Sequence, residues 1–554
     1  MRKRIVPLII SCICVLTLWA IPAKRERCTL TLPDGSKVEA TFMGDEHLHF
    51  YLTDDGRYLL LADNDTAHYV EQDAIQARWQ ARASKRKAAL NRRNAARQAR
   101  QGQQHKAMTG SKRGLVILVD FPDVPFYFAA DTFERFFNET GYHDGINVGS
   151  VHDYFLDASY GKFDFSFDVV GPVTMSHPLE YYGENDAYGY DMHPGEMIAE
   201  AIGMVDEQVD FTAYDWDKDG EVEQVYVIHS GYDEANRSSR TNIWSHAWTL
   251  TEAKAEGDGD GPVTADGVRI DSYATSAELQ GKGGLTICGI GTACHEFAHC
   301  FGLPDTYDTN GIYFGLGSWD LMDYGEYNGN GGTPAGFTSY ERMFCGWLDP
   351  IELTDPVHVQ NMPALTSAPA CYILRNSGKA DEYYLLENRQ QEGWDSCLGG
   401  HGMLVLHVDY DEQAWRDNTV NTVGTHLRMT FIPADNIRNA TTTAGDTWPG
   451  TTGKTELSAS SVPSAKLYNA NADGAMTMNH SITNISETAD GRISFIFDEG
   501  ADGISAPLAF REKNTKTLSE AMYNLGGQQV APGYHGIVIQ RSADGKTHLI
   551  KTSR

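Results

Sequence analysis

His295, Glu296 and His299 stand in the run His295-Glu296-Phe297-Ala298-His299, and Gly302 and Asp305 follow it. In a helix, residues four apart share one face, so the two imidazoles can hold a single zinc ion. Glu296 then lies beside the metal, where its carboxylate can take a proton from water that the ion has acidified. Gly302 can end the helix and turn the chain back, so that Asp305 supplies a third ligand. Three protein ligands leave one zinc position open, which is the catalytic arrangement. The competing reading is a surface helix on which two histidines fall four apart by chance. The bare motif is expected in roughly one or two per cent of chains this long, and Gly302 with Asp305 lowers that by about two orders of magnitude.

A second signal follows in Gly317-Ser318-Trp319-Asp320-Leu321-Met322-Asp323-Tyr324. A methionine in a tight turn at this distance from the histidines resembles the Met-turn of metzincins, an apolar floor beneath the zinc ligands. Taken alone, a methionine such as Met322 is more often just a core residue. Tyr324 stands where some metzincins place a tyrosine that hydrogen-bonds the developing oxyanion; a tyrosine used only for packing fits its position as well.

With these residues in view, the chain resembles the immune inhibitor A-type metalloproteases, secreted bacterial endopeptidases with metzincin-like catalytic domains. The resemblance rests on His295-Glu296-x-x-His299-x-x-Gly302-Leu303-Pro304-Asp305-x-Tyr307-Asp308 and on Ser318-Trp319-Asp320-Leu321-Met322. It extends through Gly161-Lys162-Phe163 to Gly171-Pro172-Val173, Gly231-Tyr232-x-Glu234-Ala235, Ile243-Trp244-x-His246 and Leu385-Leu386-Glu387-Asn388-Arg389-Gln390, and runs from about Gly114 to about Asp498. It implies zinc-dependent cleavage of peptide bonds in protein or peptide substrates, with Asp305 in place of a third histidine.

Arg2, Lys3 and Arg4 precede an apolar run from Ile5 to Ala20, with small residues at Ala20 and Ala23. That layout is a secretory signal peptide, assigned to residues 1–23, and it is too short and wrongly flanked for a membrane span. Ile9-Ile10-Ser11-Cys12 loosely resembles a lipoprotein box, but it falls inside the apolar run. Location is therefore expected to be secreted, extracellular or at the cell surface. Beyond the leader seven cysteines remain, so at least one thiol is unpaired. Cys294 and Cys300 are about 9 Å apart along a helix at ~1.5 Å per residue, too far for a disulfide's limit of about 7 Å. Cys28 could in principle cap the zinc of a latent precursor.

From Arg78 to Arg113 there are twelve Lys or Arg and no acid, within a chain of net charge −30. The alanine-rich part, Ala77–Arg100, is expected to be helical with charge nearly all round. A basic helix usually suggests nucleic acid or a membrane surface. Here the nearest anionic surface is the chain itself, so residues 24–112 read as a propeptide docked on an acidic catalytic domain and later cut by an activating protease. A linker helix that is never removed is the alternative.

The expected fold is α+β: a metzincin-like zinc metallopeptidase domain over 113–354, a β-sandwich over 355–500 and a small β tail over 501–554. Gly114–Phe121 is nearly continuous in apolar residues, as in a buried central strand. Helical patterns follow at 132–138, 151–158 and 196–205, and a strand at 222–229. Asp215-x-Asp217-x-Asp219-Gly220-Glu221-x-Glu223 matches the first nine positions of a calcium loop, but Tyr226 occupies the twelfth. Another carboxylate, for which Glu234 is a candidate, would have to complete the shell; an ordinary acidic turn is the alternative to structural calcium. Beyond Pro350, short runs at 383–386, 403–410, 426–432 and 493–497 suggest the sandwich. His401, His407 and Asp409 there read as framework residues. Near the end, Tyr523-Asn524-Leu525-Gly526-Gly527-Gln528-Gln529-Val530 and His535-Gly536-Ile537-Val538-Ile539 resemble C-terminal modules of secreted Bacteroidetes proteins, some of which direct export across the outer membrane; an accessory β-module is the alternative. The function read from all this is a secreted zinc endopeptidase. The rival is an exported binding or adhesion protein on a metallopeptidase scaffold, which has no reason to keep Glu296.

Overall fold

The computed structural model describes residues 19–78 and 107–498, apart from breaks at 46–47, 63–65, 76–77 and 187–188, and the backbone of five strands between 507 and 552. The leader before Trp19, the lipoprotein-like run and most of the basic helix expected over Ala77–Arg100 lie outside the described residues. Where the sequence suggested only that helix, the structure opens on strands. After β1 (Trp19–Ala20), an antiparallel meander runs through β2 (Arg27–Thr31), β3 (Lys37–Asp45), β4 (Leu48–Thr53), β5 (Tyr58–Leu61) and β6 (Ala67–Val70). Its pattern is the period-two alternation of a half-buried sheet: Cys28 and Leu30 are buried between exposed Arg27, Thr29 and Thr31. The Asp34-Gly35 turn joins the first two strands, with Gly35 at φ +81° and Asp34 accepting the backbone N–H of Ser36. The inner face of the meander joins Ile21 and Ala23 in one cluster with Ala235 and Trp244 of the next domain.

That domain is built on β7 (Gly110–Asp120), the strand expected from the apolar run. Val116 and Leu118 face one core while Leu115, Ile117 and Val119 face another, so the strand is buried on both sides. β8 (Phe163–Thr174), β9 (Val225–Tyr232), β10 (His246–Thr249), a small hairpin of β11 (Val263–Ala265) and β12 (Val268–Ile270), and β13 (Ser272–Leu279) complete its strands. The main sheet has the order β1-β10-β13-β9-β7-β8. It is parallel from β8 to β13, with β10 antiparallel at its edge and β1 paired antiparallel to β10. Helices α1 (Ala130–Asn138), α2 (Val151–Ala158) and α4 (Ile290–His299) cover one face, and α3 (Pro194–Val205) covers the other. A capping box of Ser150 and Asp153 starts α2. The strand expected at 222 begins at Val225 because Val222 is still bonded back to Arg269. The architecture is thus mixed α/β, with the sheet leading through β13 into α4.

Two further sheets follow: β14 (Ile351–Glu352), β16 (Cys371–Arg375), β17 (Glu382–Arg389), β18 (Gly402–Asp409) and β19 (Met429–Phe431) in one, and β15 (Val357–Met362), β20 (Ile482–Glu487), β21 (Ile493–Phe497) and β22 (Pro507–Ala509) in the other. The alternation expected of a sandwich is missing from β17 and β18, which are buried at every residue. Tyr384 and Leu386 face the second sheet, whereas Tyr383 and Leu385 pack into the core of the preceding domain. A sheet covered on both faces needs continuous apolar runs. Met522–Asn524, Gln529–Val530, Gly536–Arg541 and Thr547–Thr552 form one more antiparallel sheet. All seven described cysteines are free thiols, and Cys28 donates its S–H to the Ala40 carbonyl instead of reaching a metal ligand. Among the described residues no helix is long and apolar enough to cross a membrane.

Candidate metal centre

Helix α4 presents His295 and His299 one turn apart, both buried. Its packing is close: a Cβ on Gly291 would lie 2.0 Å from the Glu326 carbonyl oxygen, so only glycine lets the helix approach the 324–331 segment. Gly302 takes φ +90°, as the end of the helix requires, and the chain returns with Asp305 facing the imidazoles. His295 Nε2 and His299 Nε2 are 3.1 Å apart, and Asp305 Oδ1 lies 3.3 Å from the first and 3.6 Å from the second. Tetrahedral zinc with bonds of about 2.0–2.1 Å places its ligand atoms about 3.3 Å apart, so these three donors fit that ion.

The opposite ring nitrogens fix this arrangement. His295 Nδ1 lies 2.9 Å from the Leu321 carbonyl and His299 Nδ1 3.0 Å from that of Leu303. A carbonyl only accepts, so each Nδ1 carries the hydrogen and each Nε2 keeps its lone pair for the metal. Leu321 belongs to the methionine turn, which two carboxylates fold. Asp320 accepts the backbone N–H of Met322, and Asp323 accepts those of Leu316, Gly317 and Tyr324. Met322 is fully buried, and its carbonyl accepts the N–H of Thr306 beside Asp305. The turn therefore orients one histidine and braces the third ligand.

Electrostatics favour a cation here. Burial alone would depress the His295 imidazole, but the carboxylates of Glu326, Asp305 and Glu296 outweigh it and raise the group to about 10. Burial and the neighbouring His295 hold His299 well below its usual range. Glu326, which sequence reasoning missed in a glycine-rich run, is buried and pushed up to about 8 by desolvation. Glu296 is fully buried on the same helix as the two histidines.

The remaining expected residues are placed as follows. Tyr324 lies in the segment after Met322 with the Arg25 guanidinium 4.2 Å above its ring, and burial raises its phenol to about 12. In the acidic loop, Asp215, Asp217 and Glu223 bring ligand atoms within 4.8 Å of one another. Asp219 accepts the Glu221 N–H, and Glu221 pairs with Arg269 at 3.1 Å, turned from the loop. Burial raises Glu223 to about 8, with Asp217 and Asp215 adding to it. Glu234 does not complete this group: its carboxylate accepts from Asn185 at 2.8 Å and lies 3.8 Å from His49, whose ring stacks on Trp244. His407 pairs with Glu382, Asp409 with Lys379 and His426, and exposed His401 with Glu487, in keeping with framework roles. Sequence reasoning also missed Asn418, whose side chain bonds Asp305 from 113 positions away.

Residues 101–347 match the family model described as the immune inhibitor A peptidase M6 catalytic domain. The pre-pro-metalloprotease PrtV of Vibrio cholerae serotype O1 (strain M66-2) is 25% identical over 281 residues, 42% of this chain and 29% of that protein. Immune inhibitor A of Bacillus thuringiensis subsp. alesti is 25% identical over 295 residues, 43% of this chain and 40% of that protein. The aligned part thus spans less than half of either relative. Residues 101–347, which contain the three metal-facing side chains and the methionine turn, are thus similar to the catalytic domain of the immune inhibitor A metallopeptidases.

Proposed function

We propose that the chain is an exported zinc endopeptidase that cuts internal peptide bonds of extracellular proteins. The observation that carries this reading is the set of three donor atoms, 3.1–3.6 Å apart, on and beside the helix that bears Glu296. Zinc bound to His295, His299 and Asp305 supplies a Lewis acid for the scissile carbonyl and lowers the pKa of water. Glu296 takes the proton of the attacking water and delivers it to the leaving amine. Tyr324 is a candidate to hydrogen-bond the oxygen of the tetrahedral intermediate. A surface-adhesion role is not favoured, since it has no use for a buried glutamate beside a metal.

In the same reading Asp215, Asp217 and Glu223, whose ligand atoms lie together, hold a structural calcium ion. One experiment addresses both metals. Stripping the protein with a chelator should abolish casein hydrolysis, and zinc alone should restore it. Calcium added next, at about a hundredfold excess over Kd, should raise the melting temperature by roughly 5 °C or more. Activity that survives full zinc removal would refute the enzyme assignment, and an unmoved melting point would refute the calcium site.

We further infer that the N-terminal region keeps the enzyme latent until it is cut. Ile21 and Ala23 are fully buried; Tyr327 donates its hydroxyl hydrogen to the Pro22 carbonyl at 2.8 Å, and Arg25 covers Tyr324. Tyr324 and Tyr327 bracket Glu326, the acid that acts on His295, so this segment lies over the metal centre's border. N-terminal sequencing of the active secreted protein should find a start near the end of the basic stretch. An active protein that still begins before Cys28 would end the idea.

A further inference from the structure

The match to the family ends at residue 347, yet the third metal-facing side chain is gripped by a residue beyond that point. We propose that Asn418 of the β domain is a positioning residue that fixes Asp305 for the metal and so sets the affinity of the centre for zinc. Asn418 closes the short helix α5 (Glu412–Arg416), which Asp411 caps at its start. The Asn418 N–H bonds the Trp415 carbonyl at 3.3 Å and the Thr419 N–H bonds that of Ala414 at 2.9 Å, the paired bonds of a Schellman close. Asn418 accordingly sits at φ +49°, a left-handed position where glycine is the usual residue and asparagine is tolerated.

What asparagine adds over glycine is its amide. Nδ2 donates to Asp305 Oδ2 at 2.5 Å, and Oδ1 accepts the Asp305 backbone N–H at 2.9 Å. The oxygen held is the one opposite Oδ1, which faces the two imidazoles. One amide therefore fixes both the plane of the carboxylate and the backbone that carries it. With 2% of its surface exposed, Asn418 makes these bonds without competition from solvent. The loop that carries it is held in turn: Asn421 Nδ2 bonds the carbonyls of Thr306 at 2.5 Å and Met429 at 2.6 Å, and Asn421 Oδ1 accepts the Met429 N–H. Strand β19 thus fixes Asn421, Asn421 fixes the loop, and the loop fixes Asp305. The β domain completes a centre whose ligands all lie in the catalytic segment.

This inference rests on the metal centre proposed above, and its test separates the two. Zinc dissociation constants would be measured on the full chain by competition with a chromophoric chelator for wild type, Asn418→Gly and Asn418→Asp. Melting of the metal-stripped proteins would be followed alongside. Asn418→Gly keeps the left-handed turn and deletes only the amide. Asn418→Asp keeps the shape and sets a carboxylate against Asp305. Partners that hold a metal ligand in this way are worth about 10–100-fold in affinity. The expected result is zinc binding weakened by that factor in Asn418→Gly and further in Asn418→Asp, with both stripped proteins still folded at the assay temperature. Zinc binding within about threefold of wild type in both variants would overturn the proposal. So would weakening matched by loss of folded protein at the assay temperature, since a purely structural residue behaves that way. A wild type that takes up no zinc would instead remove the metal centre itself.

Discussion

Replacing Glu296 with alanine should cut casein hydrolysis by at least 10²–10⁴-fold, the usual contribution of a positioned acid–base group. Zinc content should stay the same. His295 and His299 point their Nε2 atoms at Asp305 Oδ1, and Glu296 is not a member of that triangle. Its loss removes a proton carrier and leaves the ligand set whole. Glu296→Gln, which keeps the volume and loses the basicity, should fall equally far, whereas a residue needed only for packing would tolerate it. Activity of either variant within about tenfold of wild type, read as initial rates at equal zinc occupancy, would refute the assigned base.

The second large effect concerns folding. Arg389 is wholly buried and joins two domains. Its Nε and Nη2 bond both oxygens of Asp395 at 2.7 and 2.6 Å, its Nη1 bonds Glu387 at 3.1 Å, and its remaining hydrogens reach the Trp319 and Gly336 carbonyls. Arg389→Met would leave two buried carboxylates without their countercharge, a defect that costs about 3–5 kcal/mol. Natural domains have a total margin of about 5–15 kcal/mol. The melting temperature should therefore drop by roughly 6–20 °C, or the protein should fail to accumulate. Arg389→Lys keeps the charge but not the two-pronged fit, so it should fall in between. A thermal scan in which Arg389→Met melts within about 2 °C of wild type would show that the pair is not needed.

These two residues illustrate what could be read in advance. Glu296 was legible because its chemistry is local: helix periodicity alone puts it beside His295 and His299, and Gly302 marks where the chain must turn. The strand at Leu115–Val119 was legible for a similar reason, since an uninterrupted apolar run has few places to go. The meander of residues 27–70 was also written in the alternation around Cys28 and Leu30 and in the Asp34-Gly35 turn. Asn418, Glu326 and the ties of Arg389 to Trp319 and Gly336 had no local signal. Each depends on a partner brought close by the fold, and one chain carries no trace of which distant residues meet. The β17 and β18 runs show the boundary between the two cases. Continuous apolarity says that both faces are covered, not that one cover is the catalytic core.

All seven cysteines between Cys28 and Cys397 are unpaired, so no covalent cross-link among them holds this chain. Its cohesion comes from packed cores and from buried ion pairs such as Arg389 with Asp395. Reducing agents remove nothing that supports it, and its production in a thiol-rich cytoplasm need not wait on an oxidative folding step.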